Sequence, residues 1–158
     1  MPKIEKLPDE HSFKPECLFQ LSRLFNSVGD GAEYKRLLTR ALKLWRERGN
    51  DRRVARMLRL LSDANRLMTL CEKGIQRAKE VPEIYQRLDD TAERAHCLIK
   101  LAFFLYGDNQ PDAVQEAASR AIGGLTSEKG DKFQVHRSHR ILCSTYRFKR
   151  ETEGAIYH

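Results

Sequence analysis

At 158 residues the chain is long enough for one domain with a buried core. Its 41% hydrophobic and 32% charged residues, with 9 Gly and 5 Pro, argue for amphipathic helices and against disorder. No apolar run approaches the roughly 20 residues that span a membrane, the start MPKIEKLPDEHSF lacks the apolar core of a signal peptide, and the net charge of +7 favours acidic peptides, nucleic acid or anionic surfaces without choosing among them.

Residues 1–14, with Pro2 and Pro8 and no helical stripe, are expected to form a loose arm. Pro15 suits the first turn of a helix, and Leu18, Leu21, Leu24, Phe25 and Val28 then line one face. The stretch VGDG breaks that helix. The next carries Tyr34, Leu37, Leu38, Ala41, Leu42 and Trp45, and stops at ERGND, where Gly49 is the expected C-terminal cap and Asn50 or Asp51 the N-cap of the third helix.

Helices are expected through RRVARMLRLLSDANRLM and LCEKGIQRAKEVPEIYQRL, the latter with Pro82 placed to kink or break it. Asp89 or Asp90 caps DDTAERAHCLIKLAFFLYG, Pro111 opens DAVQEAASRAI, SEKGD is a loop, and KFQVHRSHRILCSTYRFKR is a further helix. No segment alternates with period two, so no sheet is expected. The single, scattered Cys17, Cys71, Cys97 and Cys143 fit neither a disulfide framework nor a paired zinc motif, and reduced, mostly buried thiols are expected.

The apolar pattern repeats. Leu101, Ala102, Leu105, Val114, Ala118 and Ala121 recur 40 positions earlier as Leu61, Ser62, Asn65, Gly74, Ala78 and Val81, and 40 earlier again as Leu21, Ser22, Phe25, Tyr34, Leu38 and Ala41. The first four reappear 41 later as Leu142, Cys143, Tyr146 and Ala155. Two antiparallel helices cannot bury their apolar faces alone, so successive pairs must stack, with the small residues at the closest approaches. The pattern predicts an all-α solenoid of about three and a half helix pairs over residues 15–158. The last repeat stops short, so a piece of a longer array is expected, with Phe148, Ile156 and Tyr157 partly exposed and able to pair with another chain.

The large, small, large spacing, clearest in LAFFLYGDNQPDAVQEAASRAI, resembles the tetratricopeptide repeat, and nearly the whole chain shares it. It is most similar to the longer variety of about 40 residues, found in sensor arms of NACHT- and STAND-type signalling proteins, and differs from the form of roughly 34. The resemblance implies a right-handed superhelix whose first helices line a concave groove. Carried over by position, the groove residues are Phe19 and Arg23, then Arg56, Arg59, Asp63 and Arg66, then His96, Lys100, Phe103 and Tyr106, then Arg137, Arg140 and Arg147. Arg59 and Arg137 also sit where the family places a clamp for a peptide carboxylate, whereas Asp63, Lys100 and Ile141 do not match it.

A groove with this lining is basic with an aromatic centre, which suits a protein partner or an extended acidic peptide. The same charges are also what solvated faces of amphipathic helices carry, and periodicity alone leaves both readings open. Single-stranded nucleic acid is the weaker alternative, because no residue code recurs from repeat to repeat. His136, His139 and Cys143 share a helical face, but no fourth ligand accompanies them and Cys143 falls on a small core position, so no metal is expected. No nucleophile elbow or phosphate-cradling glycine loop occurs, and neither an enzyme activity nor a cofactor is expected.

Overall fold

The structure, a computed structural model, describes residues 6, 8–67, 71–108 and 110–125, together with 136, 139, 140, 143 and 147. Six helices make up the described residues, with no strand among them: α1 (Lys14–Ser27), α2 (Gly31–Glu47), α3 (Asp51–Leu67), α4 (Cys71–Arg87), α5 (Thr91–Gly107) and α6 (Pro111–Leu125). From α2 onward the helices start 20 residues apart, at 31, 51, 71, 91 and 111. The 40-residue repeat is therefore two near-equal helices with two short turns.

The turns explain the constant step. Each helix end leaves its last carbonyls without partners, and a left-handed residue followed by a backward hydrogen bond closes them. Gly29 and Gly49, with φ of 82° and 62°, take the left-handed position. Beyond them the Asp30 and Asn50 amides donate to the Phe25 and Trp45 carbonyls at 2.9 and 3.1 Å. The same geometry recurs after α4, where Asp89 is left-handed with φ 52° and the Asp90 amide donates to the Tyr85 carbonyl at 3.0 Å. The residue that closes one helix then opens the next. Asp30, Asn50 and Asp90 accept side-chain bonds from the amides of Glu33, Arg53 and Glu93 at 3.0, 3.1 and 3.2 Å. Asn50 and Asp90, of the alternatives the sequence offered, are the N-caps.

Consecutive helices pack against each other from α1 to α6. Ala102, Leu105, Val114, Ala118 and Ala121 are each at most 1% exposed and Leu101 is 6% exposed, so the third copy of the repeat buries its whole pattern. In the second copy Leu61, Ser62, Ala78 and Val81 are buried, and the buried Ser62 hydroxyl donates to the Gly74 carbonyl at 2.8 Å, tying α3 to α4. In the first, Ser22, Leu38 and Ala41 are buried while Leu21, Phe25 and Tyr34 are half-buried. The apolar positions thus form two core clusters in succession along the stack, one from Leu18 to Cys97 and one from Ile75 to Ala121.

Two expectations need correction, a break at Pro82 and burial of most thiols. Helix α4 runs unbroken through Pro82; the ring forfeits the bond its amide would give the Ala78 carbonyl, but it is buried, and that apolar contact offsets part of the loss. Of the three thiols whose side chains are described, one is buried. Cys97 is buried, Cys17 half-buried, and Cys143 exposed rather than at a core position. Phe148, Ile156 and Tyr157 lie outside the described residues. Residues 8–13 are held against α2 by Arg48, which donates to the carbonyls of Ser12, Asp9 and His11 at 2.5, 3.0 and 2.8 Å. Asp9 also pairs with Lys14 and Arg40 at 2.6 and 3.2 Å, and these cations hold its carboxyl below the usual carboxylate range.

Asp89 carries a side chain where the other two turns use glycine. Asp89→Gly is expected to raise stability by about 0.5–1 kcal/mol, and Gly49→Ala to lower it by about 1 kcal/mol, in urea unfolding. Space is not the issue at Gly49, since a Cβ there would meet nothing within 4 Å.

Candidate partner-binding face

The first helices α1, α3 and α5 are joined side by side through polar contacts between neighbouring pairs. Arg53 of α3 reaches Glu16 of α1 at 2.9 Å, and the Arg56 guanidinium lies 4.6 Å from the Phe19 ring centroid. From α3 to α5, Arg59 pairs with Glu93 at 3.1 Å and Lys100 with Asp63 at 2.7 Å. Each contact spans slightly less than one repeat, because stacked first helices are offset along their length.

These contacts change the electrostatics read from sequence. Arg59 and Lys100, two of the expected basic groove residues, are each neutralised by a carboxylate of the neighbouring first helix. Their side chains are 29% and 30% exposed, and pairs of that kind contribute about 0.2–1 kcal/mol, enough to fix register and too little to hold the stack. Glu16 and Glu93 escaped the sequence reading. The signal that could have found them is a carboxylate 34–38 residues from a base on the same face.

Arg23 and Arg56 keep their charge available. Both are exposed, and among the described residues Arg23 meets only the neutral Gln20 side chain at 3.4 Å and Arg56 only the Phe19 ring. Further along, Phe103 is 37% and Tyr106 47% exposed, and His96 is half-buried. Arg140 and Arg147 are exposed on helical backbone. Arg66 belongs to α3, with its side chain outside the described residues, and Arg137 lies outside them altogether.

Cys97 lies beneath the two ion pairs. Burial pushes its thiol from the ordinary 9.0 up to about 12, against the opposing pull of Arg59 and Lys100. The hollow beside it, lined by Ser62, Asp63 and Phe104 among others, measures about 10 Å³, which is room for one water and no ligand. A thiol so placed is a packing group and a poor nucleophile. Among the described residues no group of three His, Cys, Asp or Glu side chains is arranged to hold a metal ion, and His136, His139 and Cys143 are all exposed.

Two outcomes are expected of this thiol. In a variant retaining only Cys97, modification by an aromatic disulfide at pH 8 runs at the rate of unfolding, whereas a variant retaining only Cys143 reacts within the mixing time. Because the folded-state value lies above the unfolded one, the stability this group contributes is fully present below pH 9 and is lost as pH rises toward about 12. Replacing Cys97 with Ala should flatten that alkaline loss in urea titrations.

No family model matches the chain, and no curated protein does. Solved structures do. BtubC (BKLC) from P. vanneervenii superposes with a TM-score of 0.73 at 21% identity, covering 85% of this chain and 56% of BtubC. The TPR-like repeats named for a Podosopora anserina kinesin light chain give 0.77 at 14% identity, covering 98% of this chain and 76% of that one. MamA gives 0.56 at 13%, covering 96% and 87%. The chain thus spans little more than half the length of BtubC. Identities this low speak for architecture, and the architecture is that of a TPR-like helical-repeat solenoid.

Proposed function

We propose that the chain is a non-catalytic interaction scaffold that receives a protein partner, or an extended acidic peptide, on its first-helix face. The observation that carries this reading is the division of labour along that face. Arg59 and Lys100 are engaged in holding neighbouring repeats, while the exposed Arg23 and Arg56 have no carboxylate partner among the described residues. Phe103 and Tyr106 add exposed aromatic area. Guanidinium groups take carboxylates bidentately, and aromatic side chains supply contact area at low entropic cost. A helical repeat presents such groups in rows, which suits an extended ligand.

A second reading makes the array an arm of a larger sensor, as in NACHT- and STAND-type proteins. It is favoured by the constant 20-residue step of the helices, a geometry onto which further pairs stack without adjustment.

The test is a charge reversal at the unpaired arginines. In the double variant Arg23→Glu and Arg56→Glu, the affinity for a fluorescein-labelled, Asp- and Glu-rich peptide is expected to fall at least roughly tenfold, about 1.4 kcal/mol, with the melting curve little changed. An unchanged affinity would remove the acidic-peptide reading. A steeper salt dependence toward single-stranded RNA than toward the peptide would favour nucleic acid instead.

A further inference from the structure

The second helices carry a feature of their own. Between α2 and α4 opens a cleft of about 400 Å³, floored by Leu42 and by Leu58 of α3. Its rim holds three cations, Lys43, Arg46 and Arg77, against two carboxylates, Glu47 and Glu80. The partners are unevenly shared. Glu80 is taken by Arg46 through two bonds to the same guanidinium nitrogen, at 2.6 and 2.9 Å. Glu47 stands 3.9 Å from Lys43, at the limit of an ion pair. Arg77, half-buried, makes no hydrogen bond or ion pair among the described residues. Burial, and then the neighbouring Arg46 charge, push its guanidinium below its ordinary value against the smaller opposing pull of Glu80, which marks a cation in an unfavourable place. It remains charged at any physiological pH.

A partly buried guanidinium next to a second one, attracted by a Glu80 carboxylate that is already bonded to Arg46, is short of counter-charge. Thr39 and Gln76 place a hydroxyl and an amide on the same rim. A carboxylate has two oxygens to offer these donors. A phosphate monoester has three and a charge near −2 at neutral pH, which answers the surplus better. The cleft also exceeds what a bare anion fills and falls in the size range of ligand sites, while its leucine floor suits an apolar neighbour of the phosphorylated residue.

We propose that the α2–α4 cleft binds a phosphorylated serine or threonine side chain of a partner, its phosphate seated against Arg77 and Lys43. The site lies on the second-helix side of the array and is independent of the first-helix face.

Isothermal titration of the full chain with three probes tests this: an acetylated Gly-Leu-pSer-Leu-Gly amide, its unphosphorylated counterpart, and inorganic phosphate. The phosphopeptide is expected to bind with a Kd below about 1 mM, at least about tenfold more tightly than either of the others. Arg77→Gln should weaken it about tenfold or more, and Lys43→Gln severalfold. Arg52→Gln, which removes a cation that is paired with Asp90 and does not line the cleft, should leave it unchanged. If Arg77→Gln does not fold, Lys43→Gln, whose side chain is 76% exposed, carries the same test. Equal binding of the two peptides, unchanged binding in the variants, or no saturation below about 1 mM would each overturn the assignment. Inorganic phosphate binding as tightly as the phosphopeptide would overturn the partner side chain and leave a free-anion site.

Discussion

The stacking of the described helices depends on a three-residue turn, seen after α1, α2 and α4, that serves two helices at once. A helix end leaves donors and acceptors unpaired, and burying them costs more than most side-chain contacts return. Here one residue settles both ends: the Asp90 amide closes α4 by bonding back to Tyr85, while its carboxylate opens α5 by accepting from Glu93. Asp30 and Asn50 do the same. Because the turn has no slack, helix length and turn length together fix the step, and the step decides which side chains meet one repeat away.

The lateral contacts depend on that step. Each row of helices is stitched by pairs 34–38 residues apart: Lys100 with Asp63 along the first helices, Arg46 with Glu80 and Arg120 with Glu83 along the second. None of these is strong alone. Their effect is on register. The apolar core supplies the stability, and the charged rows specify how it is stacked.

The sequence made the helices and the repeat legible because both are written in periodicity. Ala102, Ala118 and Ala121 mark close approaches wherever they fall, and burial at those positions follows. Capping was legible to within a residue at Asn50 and Asp90. Other features were not, for physical reasons. The pairs that neutralise Arg59 and Lys100 depend on the offset between stacked helices, which no single helix records, so the first-helix face looked more basic than it is. The α2–α4 cleft likewise arises only when two helices 40 residues apart stand beside one another. Pro82 misled in the opposite sense, because a local rule for helix breaking carries no information about the core into which the ring packs.

The shared turn has a consequence for how such a chain changes over generations. A deletion or insertion of one residue in a helix rotates everything after it by about 100° and destroys the match between rows. Duplication or loss of a whole 40-residue unit, by contrast, leaves every turn intact and every row in step. The molecule is therefore poorly tolerant of small length changes and tolerant of large ones, provided they come in whole units. Recombination between its own repeats is then the easy route by which a lineage lengthens or shortens the array.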